Sequence, residues 1–221
     1  MPRKERSVRN REKDEFEMAE RRKSILAEGF RLFESKGIET TGMQEIADAC
    51  NIGIATLYRY YKNKMDLVLD IGTRQWEDYH VFARNLRKER HTENLSAAEE
   101  LDFYLEFYMD LYRNHKDLLR FNSNFNIYVN HEKATNEQLR PYLTAISGFG
   151  QFFNDLYEKG RRDGTIRTDM PQEKLFASTA HIMLAVAVRY AQGLLYSADS
   201  ETDRTQEILL LKKMILKEFV I

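Results

Sequence analysis

On a helix, Ala55, Thr56, Arg59 and Tyr60 of the segment 54–61 share an outward face, and Lys62 and Lys64 follow at once. The chemistry this face offers is recognition of nucleic acid. A guanidinium such as that of Arg59 can pair bidentately with guanine, and Thr56 can meet a thymine methyl or a phosphate oxygen. Catalytic chemistry has no comparable grouping. The chain has no metal-ligand spacing, no glycine-rich phosphate loop and no nucleophile motif, and its five histidines (80, 91, 115, 131 and 181) are scattered. The expectation is a protein that is not an enzyme and holds no cofactor and no metal.

The elements that must position this face are helices. Ile25, Leu26, Phe30 and Phe33 recur at helical spacing in a charged background. Gly37 follows the last of them and suits a left-handed helix end. Thr41-Gly-Met-Gln44 reads as a capping box opening a second helix, which presents Met43, Ile46, Ala47 and Ala49 or Cys50. Asn51, a residue that tolerates the left-handed conformation, interrupts it. Ile52 and Leu57 can then plug a core between the second helix and the third, 54–61. Two short helices joined by about four residues form a helix-turn-helix candidate at 42–61, whose second helix would enter the major groove. Asn63-Lys-Met-Asp66 caps a long helix with Leu67, Val68, Ile71 and Trp76.

Five further helical blocks are predicted: 96–113, 116–130, 138–163 ended by Gly164, 171–197 opened by Pro171, and about 201–220. No stretch alternates long enough for a strand. The fold class is therefore all-α, with short helices early and long ones late. That suggests two units with a boundary in or near the helix 63–90.

Composition fits this reading. The chain has 221 residues, 43% hydrophobic and 31% charged, so a core is available, and three prolines and ten glycines leave few helix breakers. One cysteine, Cys50, excludes a disulfide framework and fits a reducing, cytoplasmic location. The N-terminus lacks a signal-peptide pattern. The longest apolar run, 182–188, is seven residues, against roughly 20 for a membrane span. Residues 1–64 carry 14 Lys/Arg against 11 Asp/Glu, and 65–221 carry 20 against 24. The basic end is thus the N-terminus, where residues 3–13 read equally as a solvated tail or a phosphate-contacting arm.

Residues 22–71 resemble the N-terminal domain of the tetracycline-repressor (TetR) family. The resemblance lies in Leu32-Phe33-x-x-x-Gly37, Thr41, Ile46-Ala47, then Asn51 to Tyr61 without a gap, and Lys64-x-x-Leu67. The sequence departs from the family pattern at Asn51, Gly53, Ala55 and Tyr61. Of these, Gly53 stands where a hydroxyl residue usually caps the recognition helix. The resemblance implies a DNA-binding domain at 19–79 and a helical-bundle domain at 80–221 for ligand binding and dimerisation. It implies phosphate contacts from Tyr58, Tyr60 and Lys64; Thr41 would cap the second helix beside the DNA backbone, Gln44 would reach a phosphate or base edge, Gly53 and Ala55 lie on the same DNA-facing surface without a hydroxyl to offer, and Thr56 and Arg59 are the readout candidates. Tyr61 reads as packing, and Tyr58 as either packing or contact.

The later region holds 20 of the 26 Phe, Trp and Tyr residues. Most must be core. By the resemblance, Tyr104, Tyr108, Phe121, Phe125, Phe149, Phe153 and Tyr190, with His181 and Arg189, are candidates to line an effector cavity for an apolar or aromatic small molecule. For each aromatic the core reading outweighs the cavity reading, while His181 and Arg189 read equally as ligand-orienting, core or interface groups. Small residues Ala177, Ala180, Ala187 and Ala191, with Ile208, Leu211, Ile215 and Phe219, are candidates for a two-fold interface. A homodimer is independently reasonable, since a palindromic double-stranded operator offers two half-sites. The expected function is a DNA-binding transcriptional regulator, a repressor released by a small-molecule effector, with no membrane partner. The alternative is a DNA-organising or adaptor protein with a protein partner and no effector.

Overall fold

The structure is a computed structural model. It describes the backbone of residues 2–193 and 203–221, and the side chains of 13–193 and 203–221 except 148, 149 and 176. Among the described residues the regular structure is helical, and two segments meet in one isolated antiparallel bridge, Ile166 with Val220. The expected all-α class is the class observed. The chain divides into two compact units: residues up to Gly72 with Asn124–Thr135, and Thr73–Ser123 with Asn136–Ile221.

In the first unit, α1 (Pro2–Lys36) is far longer than its apolar stripe. Residues 3–13 continue its backbone, and their side chains up to residue 12 lie outside the described ones. Ile25, Leu32 and Phe33 are buried. Gly37 ends the helix at φ 92°, its N–H donating to the Phe33 carbonyl at 3.0 Å, a geometry that glycine adopts without a Cβ clash. Next come α2 (Met43–Ala49) and α3 (Ile54–Tyr60), joined by Asn51 at φ 53° as its residue type suggested. The long helix α4 (Lys64–Glu89) opens with the Asn63 carboxamide accepting from the Asp66 N–H at 2.9 Å.

The predicted capping box at Thr41 is a correction. The N-cap of α2 is Gly42, which makes no side-chain cap bond. The Thr41 hydroxyl, fully buried, instead donates back to the Gly37 carbonyl at 2.8 Å. Gln44 bonds Asp48 at 2.7 Å rather than returning to the cap. The left-handed turn at Gly37 points a carbonyl at Thr41, and that local bond outcompetes the cap.

A single 3₁₀ turn (Thr92–Asn94) leads to α5 (Ala97–Asn114). Its start is heavily anchored. Ser96 and Glu99 form a reciprocal capping box, Asp163 accepts from the Ala97 N–H at 2.7 Å, and Thr165 accepts from the Ala98 N–H at 3.0 Å. The remaining elements are α6 (Lys116–His131), α7 (Asn136–Ile146), α8 (Gly148–Asp163), α9 (Gln172–Phe176), a π turn (Ala177–His181), α10 (Ile182–Ala191) and α11 (Thr205–Phe219). The core of the second unit forms around α5, which packs on α8, α10 and α11. Gly160 allows α8 to come close: a Cβ there would meet Ile166 Cγ1 at 2.3 Å.

Two predicted blocks are split. The expected helix 138–163 is α7 plus α8, separated at Ser147, where ψ is −6° and the Gly150 N–H donates to the Ser147 carbonyl at 2.7 Å. The two nearby glycines, 148 and 150, weaken the helix there. The apolar period hides the break because both pieces are amphipathic. On α7, Tyr142 and Ala145 are buried and Leu143 is exposed. The expected helix 171–197 is α9, the π turn and α10, ending at Ala191, and its last residues, from 194, lie outside the described ones. Gly164 does end α8, at φ 68°.

Candidate nucleic-acid interface

The geometry of α3 follows from one anchor. Leu57 is fully buried, against the equally buried Ile46 and Ala47 of α2. With that side fixed, helical periodicity turns Ala55, Tyr58 and Arg59 to solvent, with Thr56 and Tyr60 half-buried beside them. Tyr58 is 49% exposed, so it belongs to the surface and not to the core. No carboxylate falls between Asp48 and Asp66, while Arg59, Lys62 and Lys64 do. The surface is suited to a polyanion. Gln44 and Gly53 are exposed, and nothing lies within 4 Å of where a Cβ on Gly53 would stand.

Two of the nominated residues face inward. Thr41 is buried, as described above. The Lys64 ammonium donates to the carbonyls of Ile38 at 2.8 Å, Glu39 at 3.1 Å and Thr41 at 3.1 Å, and stands 5.4 Å from the centre of the Tyr128 ring. Burial holds its pKa below the ordinary lysine value, partly offset by the charges of Glu132 and Glu39. An ammonium has three N–H donors, and here all three have carbonyl partners. Lys64 therefore fastens the segment between α1 and α2 to the start of α4, and a phosphate would have to displace one of these bonds.

A polar cluster holds the far end of α3. The Tyr61 hydroxyl donates to Asp70 at 2.5 Å, and Arg22 donates to both Tyr61 (3.3 Å) and Asp70 (2.7 Å). Burial, and then the bond to Asp70, push the Tyr61 hydroxyl well above the ordinary tyrosine value. The carboxylate and hydroxyl hold the Arg22 guanidinium further above its own. Arg22 and Asp70 were not nominated from the sequence. The available signal was Tyr61 itself, since a buried tyrosine needs a partner for its hydroxyl.

Among the described residues, the nominated cavity aromatics are mostly packed against one another. Tyr104, Phe121, Phe125 and Phe153 are at most 1% exposed. Tyr104 and Tyr108 bond hydroxyl to hydroxyl at 2.8 Å, and the Tyr104 ring packs edge-on against Phe153 at 5.2 Å. Neither of two described cavities in the second unit is lined by any of these residues. Phe125 falls in the first unit. His181 and Arg189 are exposed, the Tyr190 hydroxyl bonds Glu207, and the Phe149 side chain lies outside the described residues. The core reading of these aromatics accounts for their surroundings.

The nominated interface residues are for the most part packed within the chain. Ala180, Ala187, Ala191, Ile208, Ile215 and Phe219 are buried within the chain itself, and Ala177 and Leu211 half-buried. The small Ala187 and Ala191 let α10 approach α5, and α11 packs on α5 through its larger apolar residues. The outward apolar residues of these two helices are Ile182 (45% exposed), Leu210 (60%) and Met214 (61%). The described helices include none long and apolar enough to cross a membrane, and the described residues hold no cluster of metal-ligating side chains.

Comparison with known proteins agrees with this geometry. The family model described as bacterial regulatory proteins, tetR family, matches residues 25–71. An HTH-type transcriptional regulator of Staphylococcus aureus (strain bovine RF122 / ET3-1) is 26% identical over 171 residues, 77% of this chain and 84% of that protein. Among solved structures, a transcriptional regulator from Saccharomonospora viridis in complex with choline is similar at TM-score 0.72 and 18% identity, over 92% of this chain and 99% of that one. FadR from Bacillus subtilis in complex with stearoyl-CoA is similar at TM-score 0.63 and 15% identity, over 88% and 95%. At these identities the two structures share the fold.

Proposed function

We propose that the chain is a TetR-family, DNA-binding transcriptional regulator, a homodimeric repressor released from its operator by a small molecule. The observation that carries the DNA-binding part is α3: a helix pinned by Leu57 that turns Tyr58 and Arg59 outward within a stretch, residues 49–65, that contains no carboxylate. Arg59 reads a base edge, and Tyr58, Tyr60 and Thr56 bond phosphates or sugar, contacts that position the helix without specifying sequence. Gln44, Gly53 and Ala55 lie at the rim of the same surface. Lys64 and Thr41 support it from within.

DNA binding is assigned to 19–79, and ligand binding and dimerisation to 80–221. This division by function runs a few residues past Gly72, where the compact units part. The exposed Ile182, Leu210 and Met214 of α10 and α11 supply the two-fold face, since a two-fold dimer reads two half-sites where one motif reads only a few base pairs. Operator release follows from a coupling free energy of about 1–3 kcal/mol between ligand and DNA. That related folds have been solved with choline and with stearoyl-CoA supports a ligand-bearing second unit. The protein acts in the cytoplasm, and no catalytic role is assigned to it.

The test is a gel shift of the full chain with DNA flanking its own gene, at stated salt. Specific binding to a palindromic site is expected, and Arg59→Ala should weaken it by about 1–3 kcal/mol. Absence of sequence-specific binding under any condition overturns the reading. Occupancy of many unrelated sites with no small-molecule response would favour a DNA-organising protein.

A further inference from the structure

The second unit contains a solvent-open cleft of about 620 Å³ between α4 and α7. That volume suits a small organic molecule. On the α4 side the lining residues include Glu77, His80, Val81 and Arg84, spaced to share one helix face. On the α7 side it is lined by Arg140, Pro141, Thr144 and Ala145.

The charges in the cleft divide into a matched set and an excess. Three arginines face two carboxylates, a net of one positive charge. Arg74 is committed to those carboxylates, at 3.0 Å from Asp78 and 3.9 Å from Glu77. The excess therefore rests on Arg84 and Arg140, one from each helix. Arg140 has only a 4.0 Å approach to Glu137 across two highly exposed side chains, an ion pair worth little in water. Beneath them His80 is 8% exposed and bonded to the backbone of Ala145. Burial first, and the Arg84 charge as well, hold its imidazole below the ordinary value, so the floor adds no charge at neutral pH. Val81 is 46% exposed and, with Pro141, gives the cleft an apolar side.

The geometry points to this cleft as a binding site for a small organic monocarboxylate, its carboxylate held between Arg84 and Arg140 and its apolar body against Val81 and Pro141. A guanidinium fork fits a carboxylate in plane. A dianion such as phosphate has no apolar body and meets Glu77 and Asp78. A cation meets a lining whose net charge is positive. Because one arginine comes from each helix, the bound anion would tie α4 to α7. As an effector site, the cleft rests on the regulatory reading above, since α4 begins at Lys64 beside the DNA-binding helices.

The chain carries its own reporter. Trp76 is the single tryptophan, buried on α4, and its indole bonds Tyr142 of α7, whose hydroxyl in turn donates to Asn122 at 2.7 Å. Full-length protein is titrated with sodium octanoate and sodium benzoate while Trp76 emission is followed, with choline chloride and inorganic phosphate as controls. A saturable change is expected for at least one carboxylate and for neither control. Arg84→Gln and Arg140→Gln should each weaken it by about tenfold or more, the worth of a charge-assisted bond. Both side chains are exposed, so circular dichroism and melting should match the parent. No saturable response to either carboxylate, equal binding by the double variant, or equal binding of choline or phosphate overturns the proposal. The titration needs no DNA, which separates the two readings. Carboxylate binding that leaves operator affinity unchanged overturns the effector role alone. Loss of all operator binding overturns the regulatory reading and leaves the cleft standing.

Discussion

Arg22, Tyr61 and Asp70 meet at the rim of the first unit, with Arg22 58% and Asp70 26% exposed. In the second unit, Glu100 sits inside the core at 4% exposure, between Arg87 at 3.1 Å and Lys159. The Lys159 ammonium also reaches the carbonyls of Thr92 and Leu95, and the Arg87 guanidinium lies 4.0 Å over the Phe152 ring. At the rim, water shares the solvation, so the cluster trims the orientation of α3. In the core, each charge depends on its protein partners, so the cluster fixes how α4, α5 and α8 pack. The first unit keeps its carboxylate pairing on an outer face, and its inward-facing polar groups, Thr41 and Lys64, bond backbone carbonyls. The second builds its interior partly from charge.

The comparison breaks most visibly at Glu100. Glu100→Ala leaves two cations facing one another without their carboxylate, and urea unfolding should show a loss of about 3–5 kcal/mol. A loss below about 1 kcal/mol would mean the site is wetter than its burial indicates, by the usual scale of exposed ion pairs. Tyr61→Phe removes one hydroxyl from a cluster in which Arg22 and Asp70 still hold each other, so the same measurement should give about 1–2 kcal/mol. Specific DNA affinity should fall with it only if the tilt of α3 depends on that hydroxyl.

His80 sharpens the contrast through pH. Its folded pKa is depressed, so the unfolded chain binds the proton more readily. Its contribution to stability is then present above the ordinary imidazole value of 6.5 and is lost as pH falls through that value. Urea midpoints at about pH 7.5 and about pH 5.5 should differ less in His80→Gln than in the parent. An unchanged difference would assign the acid sensitivity elsewhere. The smallest effect belongs to Gly53→Ser. Open space surrounds that position, so the substitution should be tolerated and add only a few tenths of a kcal/mol through a new helix cap. A matching rise in operator affinity, measured by gel shift, would place the new hydroxyl against a phosphate.

Local chemistry was legible wherever one residue decides a backbone state. Gly37, Asn51 and Gly164 take the left-handed conformation their types favour, and Asn63 caps α4. Leu57 and Ile46 are core because helical spacing leaves them no other side. Thr41 was misread because two local acceptor arrangements competed and only the turn at Gly37 chose between them. The break at Ser147 was hidden because the apolar period survives it.

By itself, then, the sequence determined the helical class, the helix ends at Gly37 and Gly164, the Asn63 cap, and the outward face carrying Tyr58 and Arg59, since these depend on neighbours within a turn or two of chain. Tertiary structure alone decided that Lys64 bonds three carbonyls and that Arg22 and Asp70 serve Tyr61. It also decided that Ala187 and Ala191 of α10 face inward, leaving Ile182, Leu210 and Met214 outside. Arg84 and Arg140 line one cleft for the same reason. A helical period says which residues share a face. Which face meets another helix depends on contacts between residues far apart in the chain, and no local spacing encodes those.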